Sequence, residues 1–356
     1  MLHHSGFWND SGKDVHYIAE NANWAIRWEG EGIERGLKFI PNTSFEVRLN
    51  PTRSINRVVH FGSQYLWGNW VPYLPEMNSY AVSFFHGKRS DGPEVSHHID
   101  KFLEHQAKAD RIITANSLVE NRILGWGIDK NKIVKIPIGI DVDTFQIKDE
   151  KAKCDIRKKL EIPNDVNVIG SFQKDGNGWG QGLTPKLIKG PDIFLSVIEK
   201  LSKQAAVHVL LTGPARGYVI NGLRRIGVSY THRYPKSVKE LASLYNALDL
   251  YMITSREEGG PKGLLEGMAS GVPVVSTNVG MAPDLLVDST IGVVVPADNV
   301  DQLAIKAGQI ICMEKQQKEI LIKNAREKVL ECDWKVVARA HWENVYIPLL
   351  KALESK

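Results

Sequence analysis

The stretch that decides the fold is Leu250-Tyr-Met-Ile-Thr-Ser-Arg-Glu-Glu-Gly-Gly-Pro-Lys-Gly-Leu-Leu-Glu-Gly-Met-Ala-Ser-Gly-Val-Pro-Val-Val-Ser-Thr277. Its two ends are apolar, as is typical of buried strands. Between them, Pro261 indicates the first turn of a helix, because a proline at that position loses nothing by lacking an amide hydrogen. A strand, a helix and a second strand in this order predict a crossover between two parallel strands.

The same alternation extends through the second half of the chain. Strand-like runs lie at 167–172, 206–212, 228–230, 250–254, 272–277 and 291–295, with helix-like segments between them. A long helical pattern then runs from 333 to 353. The sequence therefore predicts an α/β fold with a parallel sheet, in which ligands bind outside the carboxyl ends of the strands.

The first half of the chain is less regular. Strand-like runs lie at 56–62, 79–85, 111–115 and 132–136, and helix candidates lie at 96–109 and from Ser117 onward. The pattern becomes regular after the mixed-charge segment 148–153. We therefore predict an N-terminal domain at 1–148, a ligand-binding domain at 149–332 and a C-terminal helix at 333–356.

Two carboxylates, Glu258 and Glu266, stand eight residues apart around the predicted helix start. A carboxylate accepts two hydrogen bonds from a vicinal diol, so this pair is suited to hold two sugar rings. The free amides of residues 260–263 would face whatever lies between the rings, such as phosphate. The alternative is that Glu258 only complements the helix dipole and that Glu266 is solvated.

A glycine-rich loop follows the strand predicted at 167–172. Four glycines lie between 176 and 182, and Lys174 and Lys189 stand on either side of them. Glycines let backbone amides approach an anion, and two ammonium groups balance a diphosphate. We expect this loop to pack weakly by itself and to be mobile without a ligand. The alternative is a surface loop with solvated lysines.

The run from Glu258 to Thr277 closely resembles the E-x7-E signature of the retaining glycosyltransferases of family 4, which have the GT-B fold. His86-Gly87 is similar to the family's HG element, and Lys189-Gly190 is similar to its KG element. Ala115-Asn-Ser117 and the segment 135–145 resemble the end of its first domain. The resemblance covers most of the chain. It implies two Rossmann-like domains that face each other across a cleft, with the last helix crossing back onto the first.

The resemblance also implies roles for individual residues. It assigns catalysis to His86, Glu258, Lys174 and Lys189, and the nucleotide-sugar donor to Glu266, Gly259, Gly260, Lys262, Gly263, His232, Arg233 and Tyr234. Apart from the resemblance, aromatic rings stack on sugars and also fill cores, so Trp24, Trp28 and Trp70 are candidates for the acceptor side, with a core position as the alternative. Within these sets, Glu266 would hold the ribose, Glu258 and His86 the donor sugar, and the lysines the diphosphate. The base would lie in the loop after residues 228–230.

Two stretches depart from the family pattern. Members usually carry an arginine where this chain has Lys174, and the loop 175–188 is longer than the usual connection. No Gly-rich loop follows a first strand, and Asn21-Ala-Asn-Trp-Ala-Ile-Arg-Trp-Glu-Gly-Glu-Gly-Ile33 stands in its place. This stretch is either a rebuilt acceptor-side loop containing Gly30 and Gly32 or the mark of a shortened N-terminal domain.

These observations predict a glycosyltransferase that moves a sugar, with retention, from a UDP- or GDP-sugar to a glycan or glycolipid, as in polysaccharide biosynthesis. Because lysines neutralise the phosphates, the hypothesis needs no cofactor and no obligatory metal. Two alternatives stay open. One is another GT-B enzyme of nucleotide sugars, such as an epimerase or phosphorylase, and the other is a non-catalytic protein that binds nucleotide sugars or glycans.

Composition argues against several other classes of protein. Hydrophobic residues make up 43% of the 356 residues and charged residues 24%, which is typical of a globular protein. A net charge of +4 is too small for a nucleic-acid binder. No apolar stretch approaches the roughly 20 residues of a membrane span, and residues 1–10 lack the pattern of a secretory signal. With three scattered cysteines, this indicates a cytoplasmic protein, with peripheral association at the inner membrane face as the alternative.

Five histidines close in sequence invite a metal hypothesis: His60, His86, His97, His98 and His105. No acidic ligand set of recognised spacing accompanies them. The pattern therefore favours solvated or capping histidines, with His86 set apart because it follows a strand at a turn.

Overall fold

The computed structural model describes residues 12–22, 24–163 and 165–355, and the N-terminal segment tested above for a secretory signal lies outside this part. The chain forms two compact units. Unit 1 takes the described residues of 1–115, 119–139 and 334–356, and unit 2 takes those of 116–118 and 140–333. The last helices of the chain therefore belong to the first unit.

Unit 1 is built on a six-stranded parallel sheet with the order β2-β1-β3-β4-β5-β6. Its strands are β1 (Val15–Ile18), β2 (Phe45–Arg48), β3 (Val58–Phe61), β4 (Ser79–Ser83), β5 (Arg111–Thr114) and β6 (Ile133–Lys135). The helices of this part of the chain are α1 (Ala25–Leu37), α2 (Gln64–Trp70), α3 (Pro93–His105) and α4 (Ser117–Gly125). Two separate apolar clusters pack against this sheet, one around Tyr17 and one around Trp67.

Unit 2 contains a second six-stranded parallel sheet, with the order β12-β11-β10-β7-β8-β9. Its strands are β7 (Asn167–Phe172), β8 (Val207–Thr212), β9 (Ser229–Arg233), β10 (Leu250–Ile253), β11 (Val274–Thr277) and β12 (Val293–Val295). Its helices are α5 (Glu150–Lys159), α6 (Pro191–Ser202), α7 (Gly217–Arg225), α8 (Val238–Tyr245), α9 (Lys262–Ala269), α10 (Ala282–Leu285), α11 (Val300–Ile311) and α12 (Lys315–Val329). Every residue of β8 is buried, as its continuous apolar run predicts.

The strand order of unit 2 changes direction at β7. From this strand the chain moves one way to β8 and β9, and β10 then pairs with its other edge. In open parallel sheets, ligands bind at such a switch point, outside the carboxyl ends of the strands. The loops after β7 and β10 are therefore the first places to look for a site in unit 2.

The C-terminal segment packs within unit 1. It consists of α13 (Trp334–His341), a π-helical turn (Trp342–Tyr346) and α14 (Ile347–Glu354). The hydroxyl of Tyr346 lies 2.8 Å from Nδ1 of His60, and the other ring nitrogen of His60 lies 2.9 Å from Ser83 Oγ. Burial, and to a smaller extent His341, keeps the pKa of His60 well below its usual range. His60 is therefore a neutral core residue.

Gly30 and Gly32 lie in a helix, so the interpretation of their stretch as a rebuilt acceptor-side loop is wrong. Residues 25–37 form helix α1, and its glycines lie where neighbouring groups leave no space for a side chain. A Cβ on Gly30 would lie 2.5 Å from the ring of Tyr17, and one on Gly32 would lie 2.4 Å from the ring of Trp334. One on Gly36 would lie 2.3 Å from the carbonyl oxygen of Trp334. Gly32 and Gly36 therefore let α13 approach α1 closely, and Gly30 makes room for Tyr17 of β1.

This packing predicts that Gly32→Ala destabilises the protein. The added methyl group would overlap the Trp334 ring, and overpacking of this kind costs about 1–3 kcal/mol. Gly125→Ala is the matched control, because Gly125 also lies in a helix but has open space around its Cβ position. It should leave stability unchanged or raise it by up to about 1 kcal/mol. Urea unfolding of the two variants measures both effects, and equal effects would contradict the close packing of α1 on α13.

Candidate active site

The loops after β7 and β10 meet through an ion pair. Lys189 Nζ lies 2.6 Å from Glu258 Oε1, and both side chains are largely buried. The hydroxyl of Ser255 donates to the same carboxylate oxygen at 2.8 Å. The two residues that the resemblance assigns to the diphosphate and the donor sugar are thus neighbours.

Gly190 explains how Lys189 reaches this position. Its φ of 62° is left-handed, and a Cβ there would lie 1.9 Å from the carbonyl oxygen of Thr254. The Thr254 hydroxyl donates to the Gly190 carbonyl at 2.8 Å, which fastens the two loops together. Helix α6 then begins at Pro191. Only glycine meets both requirements, the positive φ and the close approach.

Arg256 holds the segment before α6 in place. Its guanidinium donates to the carbonyl of Leu187 at 2.6 Å and forms a two-pronged contact with the Asp192 carboxylate at 2.8 and 2.9 Å. It also donates to Asp298 at 2.7 Å. Although burial opposes it, Arg256 lowers the pKa of Asp192. Sequence reasoning missed Arg256, since its partners are far away along the chain.

Glu266 lies on α9 with its carboxylate directed by a buried tyrosine. The hydroxyl of Tyr245 donates to Glu266 Oε2 at 2.8 Å, and the ring of Tyr245 packs against Phe172 and Tyr251. Burial raises the pKa of Glu266, while the Tyr245 hydrogen bond and Lys262 oppose that rise. The carboxylate is therefore oriented and partly desolvated, and it is not the solvated helix residue of the alternative hypothesis.

The turn between the two glutamates is fixed by close contacts. The carbonyl of Gly259 accepts a hydrogen bond from the Asn116 side chain, which is part of unit 2. Pro261 precedes the first residue of α9, Lys262, so the helix starts where the sequence predicts. A Cβ on Gly263 would lie 2.1 Å from the Tyr251 hydroxyl, so glycine is required there.

The glycine-rich loop forms a hairpin, which we call the glycine hairpin (residues 174–186). Backbone hydrogen bonds join Lys186 N to Asp175 O at 2.8 Å and Asn177 N to Thr184 O at 2.9 Å. Its tip contacts the start of α7, where the amides of residues 217 and 218 donate to the carbonyls of residues 181 and 182. The expectation that this loop packs weakly by itself is therefore wrong.

The glycine hairpin carries two lysines near Lys189. The ammonium group of Lys174 lies 3.8 Å from the centre of the exposed Trp179 ring, which is a cation–π contact. Partial desolvation, together with Lys189 and Lys174, lowers the pKa of Lys186. Sequence reasoning missed Lys186 as a site residue. The structure therefore collects three cations around the end of β7.

The residues expected around a base lie at the end of β9. His232 and Arg233 are the last two residues of this strand, so the expectation that they follow it in a loop is wrong. The ring of His232 donates from Nε2 to the carbonyl of Gly213 at 2.8 Å. Arg233 and Tyr234 are exposed, and Arg233 donates to the His232 carbonyl.

The remaining predicted residues belong to unit 1. His86 is exposed, and its carbonyl accepts a hydrogen bond from Gln64 Nε2 at 3.0 Å. Trp24 and Trp28 are exposed on or next to α1, whereas Trp70 is half-buried against the apolar cluster around Trp67. Two of the three tryptophans thus present open aromatic surface.

Two kinds of feature are absent from residues 12–22, 24–163 and 165–355. No group of three or more histidine, cysteine, aspartate or glutamate side chains there is arranged to hold a metal ion. No helix in those ranges is long and apolar enough to cross a membrane.

A known protein family matches the part of unit 2 that contains these residues. Residues 182–312 match the family model described as Glycosyl transferases group 1. This range contains Lys189, Glu258 and Glu266. The family model thus covers the ion pair and the half-buried Glu266 carboxylate of unit 2.

Curated relatives are similar over a longer part of the chain. The chain is 26% identical over 261 residues to D-inositol 3-phosphate glycosyltransferase of Corynebacterium kroppenstedtii, which covers 67% of the chain and 53% of that relative. It is 29% identical over 224 residues to the protein of the same name in Mycobacterium tuberculosis, covering 60% and 43%. The chain thus spans about half the length of the curated relatives it matches.

Solved structures show the fold. The structure matches Anabaena HepE in complex with UDP and glucose with a TM-score of 0.73 and 14% identity, covering 93% of this chain and 98% of that one. A glycosyltransferase from Rickettsia africae matches with a TM-score of 0.71 and 16% identity, covering 95% and 99%. The predicted GT-B fold is confirmed, and the chain is similar to glycosyltransferases in sequence as well as in fold.

The burial of Glu266 predicts that Glu266→Gln stabilises the protein at neutral pH. Because the pKa of Glu266 is raised in the folded state, ionising this carboxyl destabilises the fold as pH rises from the ordinary pKa of 4.5 through the raised value. The amide of glutamine does not ionise, so the variant avoids this loss. Asp249→Asn is the control of opposite sign. Although burial opposes it, Lys153 and Arg157 lower the pKa of Asp249, so its replacement should destabilise the protein at neutral pH.

Chemical unfolding between pH 2 and pH 8 distinguishes the two variants. The advantage of Glu266→Gln should grow with pH, and the deficit of Asp249→Asn should shrink as pH falls below the ordinary value of 3.8. A loss of stability in Glu266→Gln at pH 7 would contradict the desolvation of this carboxylate.

Proposed function

We propose that this protein is a glycosyltransferase that moves a sugar from a nucleoside-diphosphate sugar to a hydroxyl acceptor, with retention at the anomeric carbon, as family 4 enzymes do. One observation carries the proposal. The range that matches the group 1 family model contains Lys189, Glu258 and Glu266, and Lys189 lies 2.6 Å from Glu258 at the switch point of the sheet.

The cations of this region suit a diphosphate leaving group. Negative charge accumulates on the diphosphate as the glycosidic bond breaks, and fixed cations that await this charge lower the barrier. Lys174, Lys186 and Lys189 lie close enough to affect one another electrostatically, and the amide end of α9 lies beside Glu258. In this proposal the lysines stabilise the leaving group, and no metal is obligatory.

The two carboxylates have different roles in the proposal. Glu266 holds the ribose hydroxyls. The hydrogen bond from Tyr245 supports this role, because it fixes the orientation of the Glu266 carboxylate. Glu258 leaves Lys189 for the hydroxyls of the donor sugar, while Lys189 turns to the diphosphate. His86 approaches the same sugar, and Trp24, Trp28 and Trp70 belong to the acceptor side.

The donor and the acceptor are proposed as classes. HepE was solved with UDP and glucose, which makes UDP-sugars the first donors to test and GDP-sugars the second. A glycan or glycolipid of polysaccharide synthesis is the proposed acceptor, at the cytoplasmic face of a membrane. The curated relatives are named for D-inositol 3-phosphate, so this compound belongs in the same acceptor panel.

A thermal-shift screen against UDP, GDP, ADP and TDP sugars tests the proposal. A ligand that binds the folded state stabilises it by mass action, by about 2.7 kcal/mol at a hundred times its Kd, and so raises the unfolding temperature. The correct donor should stand out, and the shift at the same donor concentration should be smaller in Glu266→Ala. The proposal fails if none of the four classes shifts the protein, or if a binding donor is never transferred to any acceptor.

The separate roles of the carboxylates predict two different mutant phenotypes. Glu266→Ala should raise the Kd of the nucleoside diphosphate about tenfold or more, because a hydrogen bond to a charged group contributes about 1.5–3 kcal/mol. Glu258→Ala should spare nucleotide affinity and lower turnover. Calorimetry and initial rates measure the two effects, and identical behaviour of the two variants would contradict this division.

Neutralisation by lysines predicts little response to divalent metal. Initial rates of transfer in EDTA should stay close to those in magnesium or manganese, because side chains and amides already meet the phosphate charge. Complete loss of activity in EDTA, restored by either ion, would overturn this part of the proposal.

A further inference from the structure

The proposed mechanism leaves one buried ion pair of unit 2 unused. Arg216 and Asp175 have no exposed side-chain area, and Arg216 Nη2 lies 3.0 Å from Asp175 Oδ2. Taking two charges out of water costs free energy that their attraction often fails to return. A gain in stability is therefore a poor explanation for this pair. Its position in the fold suggests another role.

Arg216 is held by rigid elements. Its Nη1 donates to the carbonyls of Ser171 at 2.6 Å and Thr212 at 2.8 Å, which lie at the carboxyl ends of the paired strands β7 and β8. Its Nη2 also donates to the hydroxyl of Ser171 at 3.2 Å. The guanidinium is thus fixed by the sheet, and it fixes the carboxylate of Asp175 in turn.

Asp175 lies at the base of the glycine hairpin, between its two lysines. Lys174 precedes it in sequence, and its carbonyl accepts the hydrogen bond from the amide of Lys186 at 2.8 Å. The backbone positions of both lysines therefore follow from the position of Asp175. The amide of Gly217, next to Arg216, fastens the hairpin tip through the carbonyl of Gln181 at 2.7 Å.

The lysines need such a support because they repel one another. Lys189 and Lys174 both act to lower the pKa of Lys186. Cations on a loop without fixed attachments would separate and lose the arrangement that a polyanion requires. A buried pair that ties the base of the hairpin to the sheet keeps them together before any ligand binds.

We propose that Arg216 and Asp175 are positioning residues, which hold Lys174 and Lys186 where the two lysines bind a diphosphate group together. This inference rests on the proposed function, because the diphosphate is that of the nucleotide sugar. Neither residue of the pair touches the ligand, since both are fully buried. They act only through the backbone of the hairpin.

The test compares three variants of the full chain. Asp175→Asn removes the charge with little change of shape, and the double variant Asp175→Leu/Arg216→Met replaces the pair with apolar side chains. Asp249→Asn is the control, since it breaks an ion pair of unit 2 at the amino end of β10. Calorimetry with inorganic pyrophosphate gives the affinity, Trp179 fluorescence reports the hairpin, and thermal unfolding gives the midpoint.

Asp175→Asn should weaken pyrophosphate binding about ten- to a hundredfold, which is the loss expected when one hydrogen bond to a charged group is no longer made. The apolar double variant should recover the unfolding midpoint but not the affinity or the fluorescence response. Asp249→Asn should lower the midpoint and leave the affinity unchanged. Recovery of both properties in the double variant would show a purely structural pair and overturn the inference, and so would unchanged affinity in Asp175→Asn.

Failure of this inference differs from failure of the proposed function. If the wild-type protein binds pyrophosphate and Asp175→Asn does not, but no nucleotide sugar is ever transferred, the positioning role stands and the proposed function is wrong. If transfer occurs and all variants bind pyrophosphate like the wild type, the proposed function stands and the positioning role is wrong. A wild-type protein that does not bind pyrophosphate would also overturn the positioning role.

Discussion

The close approach of Gly190 to the carbonyl of Thr254 is the contact on which the rest of the site depends. A Cβ at this position would lie 1.9 Å from the Thr254 oxygen, so any other residue would force the loops after β7 and β10 apart. Because they stay together, Lys189 reaches Glu258 and Arg256 reaches the carbonyl of Leu187. A backbone constraint thus sets the positions of the charged groups.

The charged groups around this contact divide into two kinds. Arg256 donates to two carboxylates and a carbonyl, so its charge is neutralised within the protein. Its role is to hold the segment before α6. Lys189 shares its charge with Glu258 alone among the ion pairs of the described residues. Lys174 contacts only the face of an aromatic ring in the described part of the chain, which is a weak interaction. An incoming anion would therefore replace these partners of the lysines and leave the contacts of Arg256 intact.

Local patterns allowed much of the fold to be predicted from the sequence. Continuous apolar runs such as β8, and the proline at the start of α9, depend on neighbours in the chain. The strands β1 and β2 escaped prediction because they are short and their burial depends on distant partners. The site divides in the same way. Glu258, Glu266 and Lys189 are visible as a motif, whereas the contacts of Arg256, Tyr245 and Arg216 join residues far apart in sequence.

Glycine runs misled the sequence reasoning twice, for one physical reason. Missing side chains suggest conformational freedom, but in α1 they admit a neighbouring helix, and in the glycine hairpin they admit the backbone of Ala215. A Cβ on Gly176 would lie 2.3 Å from the Ala215 oxygen, and one on Gly182 would lie 2.1 Å from it. The signal that distinguishes the cases is spacing, since Gly32 and Gly36 lie four apart on one helix face. Because the hairpin is fastened by backbone hydrogen bonds, most of the entropy cost of ordering it falls on folding. Little of that entropy cost therefore remains to lower the affinity of the hairpin lysines for an anion.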